Sequence, residues 1–105
     1  FAYRLRVGDF PGATTAFPLA AQRGQQASIG FAGPEPVAPV SLAAPKDASL
    51  AAFYAAPAAG KAEGWPLPVR LSDHPEAAEQ EPNDEPAKAN NLPVPGGVSG
   101  RFDKA

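Results

Sequence analysis

The residues best equipped for chemistry sit together in one short run, Glu79-Gln80-Glu81-Pro82-Asn83-Asp84-Glu85-Pro86. Glu79, Glu81, Asp84 and Glu85 are carboxylates, Asn83 adds an amide oxygen, and Pro82 and Pro86 keep the run out of an ordinary helix interior. Oxygen donors at this density have two readings. One is a solvated connector, the usual role of acidic, proline-containing stretches between folded units. The other is half of a calcium shell. Calcium takes about six to eight oxygen ligands at about 2.3–2.6 Å, and Glu79, Glu81, Asn83 and Asp84 offer acid, acid, amide and acid from a segment that Pro82 holds extended.

Catalytic chemistry has less to work with. His74 is the single histidine and the natural general base, but it stands between Asp73 and Pro75 with no nucleophile near it in sequence. A structural or incidental role is expected for it. Asp9, Asp73 and Asp103 fall at the ends of strand-like runs, where turn formation explains them. Trp65, Tyr54 and Tyr3 have the chemistry of a carbohydrate-stacking platform, yet a lone Trp in a small domain is expected to be buried. No catalytic residue and no organic cofactor are assigned.

The surrounding composition limits the partners. The 105 residues carry nine basic and eleven acidic side chains, a net charge of −2. No Lys/Arg stripe forms, so a nucleic-acid backbone or an anionic membrane has nothing to grip. Cysteine is absent, which removes disulfides, thiolate nucleophiles and zinc–thiolate sites together and leaves the compartment open. No apolar run approaches the roughly 18 residues of a membrane span. The chain opens on Phe1 with no charged-then-apolar leader, which reads as an internal piece of a longer protein. Fourteen prolines and ten glycines rule against long helices, and the prior is all-β with a thin core.

The elements that must position the acidic run follow from alternation and punctuation. Ala2-Tyr3-Arg4-Leu5-Arg6-Val7 has the period of a half-buried strand, with Tyr3, Leu5 and Val7 inward and Arg4 and Arg6 in solvent. Ala13-Thr14-Thr15-Ala16-Phe17 is a short strand stopped by Pro18. Gln22-Arg23-Gly24-Gln25 is a tight turn with Gly24 at positive φ, feeding a strand in which Ala27, Ile29 and Phe31 share a face. Val37, Val40 and Leu42 suggest an edge strand limited by Pro39. Residues 43–62 are alanine-rich, and a helix capped by Asp47 competes there with strand or coil, the latter favoured because Pro45 and Pro57 leave too few residues between them. Residues 60–64 read as a flexible polar loop. Trp65, Leu67, Val69 and Leu71 then line one side of an extended run. After the acidic stretch, Val98, Gly100 and Phe102 alternate as one further strand. Its edge must stay open, dock on the first unit or pair with another polypeptide. One core of Tyr3, Leu5, Val7, Phe17, Ile29, Phe31, Val69 and Leu71 between two sheets is expected.

Glu79-Gln80-Glu81-Pro82-Asn83-Asp84, the alanine-rich turn through Ala87 and Ala89, Leu92-Pro93 and Val98-Ser99-Gly100-Arg101-Phe102-Asp103 together resemble the opening of a bacterial pre-peptidase C-terminal (PPC) domain. That family shows E-x-E-P-N-D, a short loop, a proline-containing strand and V-x-G-x-I/F-D before a G-D-x-D-x-F/Y segment, which here would lie past Ala105. Residues 11–73, through Phe17-Pro18, Gly24, Ile29-Gly30-Phe31 and Gly33, more loosely resemble an immunoglobulin-like TIG module, as in large exported proteins of planctomycete-like bacteria. The resemblance implies an Ig-like β-sandwich over 1–73, an acidic linker over 74–97, and over 98–105 the first strand of a second β-sandwich. It implies a secreted, periplasmic or cell-envelope location. It also implies a noncatalytic module that supplies spacing or protein and polysaccharide contacts, its partners including neighbouring domains of the parent chain. The alternative is an accessory or maturation-related C-terminal fragment of a secreted hydrolase. Glu79, Glu81, Asn83 and Asp84 take the calcium-ligating positions of related domains by the same resemblance, with the shell completed only by the downstream segment.

Overall fold

Residues 2–102 are described by the computed structural model. Asp103, counted above among strand-end carboxylates, lies outside them with the rest of the expected final strand. The fold is nearly all β, and prolines set where its strands stop. β1 (Thr15–Phe17) runs antiparallel to β3 (Gln26–Ala32), with Ala16 opposite Phe31. Pro18 has no N–H to continue that ladder, and the chain crosses instead to a second sheet as β2 (Ala20–Gln22). A turn at Gly24 (φ 76°) brings it back into β3. β4 (Val40–Ala43) begins directly after Pro39 and pairs antiparallel with β3, Ile29 opposite Val40.

The alanine-rich region resolves as strand and turn. Asp47 Oδ1 accepts from Ser49 N (2.8 Å) and Ser49 Oγ (2.7 Å), so its side chain closes a local turn and caps no helix. These two bonds, first the hydroxyl and then the amide, hold the Asp47 carboxyl below its ordinary 3.8. β5 (Ala52–Ala55) follows. The expected flexible loop is in fact a small hairpin, β6 (Ala58–Ala59) with β7 (Ala62–Glu63), its turn made by Gly60 at φ 62°. β8 (Leu67–Ser72) is the centre of the second sheet, parallel to β2 and antiparallel to β5. Pro68 is accommodated there because β2 pairs only with residues 70–72 of β8, leaving the Pro68 nitrogen unopposed on that side.

The two three-stranded sheets, β1-β3-β4 and β2-β8-β5, close over one cluster: Ala16, Ala21, Ile29, Ala44, Ala55 and Val69 are buried, flanked by Phe31, Phe53, Leu67 and Leu71. Phe31, Ile29, Val69 and Leu71 therefore take the core places their alternation predicted. Tyr3, Leu5 and Val7 do not. Residues 2–7 form no strand and these three side chains are 82, 75 and 86% exposed. Alternation states which face a strand would bury once paired, and here residues 2–7 pair with neither sheet. Arg6 is exposed as expected, and it also stacks 4.5 Å over the Phe10 ring and donates to the carbonyls of Gly64 (2.9 Å) and Glu63. Trp65 is also corrected, at 46% exposed rather than buried, because the ladder starts only at Leu67.

Arg23 ties three loops to this frame. Its backbone N–H donates to Ser72 O (2.8 Å), its Nε pairs with Asp73 (2.9 Å), and Nη1 reaches the carbonyls of Asp47 (2.5 Å) and Leu50 (2.8 Å). Among the described residues no helix is long and apolar enough to cross a membrane.

Ile29 is fully buried in a core otherwise made largely of alanine. Ile29→Ala should cost about 2–5 kcal/mol in urea unfolding, a large share of the stability of a small domain. Leu5→Ala, at an exposed position, should shift the same midpoint by less than about 0.5 kcal/mol. Acidification tests the Asp47 turn: a carboxyl lowered on folding contributes stability above its unfolded value and loses it as pH falls below about 3.8. Amide exchange at Ser49 should accelerate through that range in wild type, and in Asp47→Asn it should lose its acid dependence.

Candidate functional site: the acidic loop between two parallel strands

The stretch expected as a linker contains β9 (Glu76–Ala78), which pairs in parallel with β10 (Gly97–Ser99). Parallel neighbours need a crossover between them, and residues 79–96 are that crossover. The acidic run therefore starts on a strand and is tied to the next one. Glu79 N donates to Ser99 O (2.9 Å) and Gly97 N to Pro75 O (3.0 Å), bracketing the ladder.

Glu79 is the hub. Its Oε1 accepts from Asn83 Nδ2 (2.8 Å) and its Oε2 from the Arg101 backbone N–H (3.2 Å), so one partly buried carboxylate joins the front of the loop to the strand that leaves it. Glu81 Oε2 accepts from Asn83 N (3.0 Å), closing a tight turn across the cis Glu81–Pro82 bond. Farther along, Asn90 pairs with the Gln80 backbone in both directions: Oδ1 accepts Gln80 N (2.8 Å) and Nδ2 donates to Gln80 O (3.0 Å). A side-chain amide thus does the work of a strand partner. Pro86–Lys88 makes a single 3-10 turn whose Lys88 reaches Glu85 at 3.3 Å.

Glu79, Glu81, Asn83 and Asp84 line one open cleft of about 600 Å³ together with Pro82, Gly100, Arg101 and Phe102. The tertiary structure thus brings the four candidate ligands to one place. Their lone pairs are partly spent, since both Glu79 oxygens and one Glu81 oxygen already accept N–H groups. Among the described residues no three His, Cys, Asp or Glu side chains converge to hold a metal ion. Asp84 and the second Glu81 oxygen are the carboxylate atoms of these residues with no hydrogen-bond donor among the described residues.

The other candidates are held elsewhere. Asp73 pairs with Arg23, and His74 is exposed, its backbone N–H and carbonyl both bonded to Ser72 Oγ. Asp9 lies in a separate cleft with Phe10 and Pro11. Tyr54 is 68% exposed on the outer face of β5, opposite Pro68.

Two residues that matter were not singled out from sequence. Asn90 gave only a weak signal, an Asn-Asn pair in an irregular stretch. Ser99 was passed over because alternation drew attention to Val98, Gly100 and Phe102. Ser99 is the buried member, at 5% exposed, while Val98 and Phe102 are 49 and 102% exposed. Ser99 Oγ accepts the Leu19 N–H at 3.1 Å, so the hydroxyl is buried because it satisfies a backbone donor at the start of the second sheet. Compared with protein-family models, curated proteins and solved structures, the chain matches none.

Glu79→Ala removes the acceptor of two N–H groups and should cost about 1–3 kcal/mol. The reading is amide exchange at Arg101, which should accelerate while exchange at Ile29 stays slow. Unchanged exchange at Arg101 would reduce the acidic run to a solvated hinge. Calorimetric titration of the wild-type chain with calcium should show no tight uptake, given the oxygens already occupied.

Proposed function

We propose that this chain is a noncatalytic module of a larger exported protein, Ig-like in its first part, that holds the segments on either side of it at a fixed spacing. The observation that carries the reading is the buried Ser99 hydroxyl accepting the Leu19 N–H. Through it the β9–β10 ribbon is fastened to the β2 side of the sandwich instead of trailing behind it. A connector built on a strand ladder, a two-way Asn90 clamp and a Glu79 bridge transmits orientation, which a solvated linker does not. The polar groups that sequence offered for chemistry support the same reading, since Asp73, Glu79 and Glu81 each serve a loop or strand closure. Calcium enters only in a limited form: Glu81 and Asp84 would need further oxygen donors from outside the described residues.

The absence of native cysteine makes spin labelling direct. Labels at Ser28→Cys on β3 and Lys88→Cys in the crossover should give one narrow distance distribution, broadened by Ser99→Ala. A broad wild-type distribution would sink the spacer reading. Assays of the chain against ester, peptide and glycoside substrates should show no turnover, and a turnover abolished by His74→Ala would place the protein among enzymes instead.

A further inference from the structure

Residues 2–7 keep the alternation of a strand but have no ladder partner, and Tyr3, Leu5 and Val7 stand in solvent. Arg6 roots the segment on Phe10, Glu63 and Gly64. Such a segment, apolar on alternate side chains and outside any ladder, has the pattern that an open sheet edge takes up as an added strand.

Among the described residues no strand pairs with the outer edge of β10. Gly97 N–H and Ser99 C=O both face β9, so strand alternation turns the N–H and C=O of Val98 away from it. The Val98 side chain is half exposed on the outer face. Carboxylates flank this edge. A Cβ at Gly97 would collide with the Glu76 carboxylate, and one at Gly100 would lie 2.6 Å from Glu79 Oε2. Both glycines therefore leave room for an acid to lie across the strand. Among the described residues no third strand joins the β9–β10 ribbon, and a two-stranded parallel ribbon is a poor end point for a sheet.

We propose that β10 takes up residues 3–7 of a second copy of this chain, so that copies join head to tail. With Leu5 opposite Val98, Tyr3 and Val7 fall on the Val98 face. Arg4 and Arg6 then fall on the face that carries Gly97 and Glu76, and whichever arginine stands opposite Gly97 reaches the Glu76 carboxylate across the missing side chain. Charge chooses this partner over another copy of the same segment, because antiparallel pairing of two such segments about Leu5 sets Arg4 against Arg6. Donor and acceptor are different surfaces, so the contact is heterologous and repeats along a row of copies. It does not depend on the spacer reading above.

Sedimentation velocity of the full chain over a concentration series tests it. The sedimentation coefficient should rise with concentration, and less so at high salt, where the arginine–carboxylate attraction is screened. Leu5→Asp, which spoils the donated strand, and Val98→Pro, which removes the edge N–H, should each sediment as monomers. Far-UV circular dichroism should show both folded. Their equimolar mixture should recover a dimer and nothing larger, since one variant keeps only the acceptor and the other only the donor. A wild-type chain that stays monomeric throughout would overturn the proposal, as would a mixture without dimer or association that survives Val98→Pro.

Discussion

Everything in this fold is arranged around the shortage of large side chains for its core. Ile29 and Val69 are the principal bulky residues fully buried in a cluster filled out by Ala16, Ala21, Ala44 and Ala55. Small residues let two sheets approach closely, but each buries little apolar area, and buried area sets the hydrophobic stabilisation. Prolines add a second restriction. They end β1 at Pro18 and delay β4 until after Pro39, so ladders are short and the chain changes sheet often. A core of this kind holds the strands together without holding the loops.

Polar side chains reaching backbone groups do that second job. Arg23 collects three loops, Arg6 fastens the start of the chain to the turn before Trp65, and Asn90 substitutes for a strand beside Gln80. Glu79 and Ser99 join the last strand to the crossover and to the sandwich. Each bond contributes only about 0.5–1.5 kcal/mol net, yet each orders a segment that has little apolar surface of its own. The acidic run belongs to this set. Its glutamates accept N–H groups from Asn83 and Arg101, which makes part of its negative charge a structural element, while Glu85 pairs with Lys88.

Much of the sandwich was legible in the amino-acid sequence. The strand around Ile29, the face shared by Val69 and Leu71, the turn at Gly24 and the stop at Pro18 all follow from local rules: side-chain period, positive φ and the missing proline N–H. The four residues of the acidic cleft were legible too, because they are neighbours in sequence. What stayed hidden depended on contacts distant in sequence. Ser99 has no evident role until Leu19 supplies a donor, and residues 2–7 look like a core strand although they join neither sheet.

The sequence by itself determined the all-β class, the places where strands must break and the face each paired strand would bury, since these depend on backbone dihedral limits and a two-residue repeat. Only the tertiary structure decided which alternating runs found a partner, that β9 and β10 pair in parallel around the acidic loop, and that Ser99 rather than Val98 turns inward. Pairing depends on backbone donors and acceptors brought together from distant parts of the chain, and a local pattern carries no record of where those partners will be.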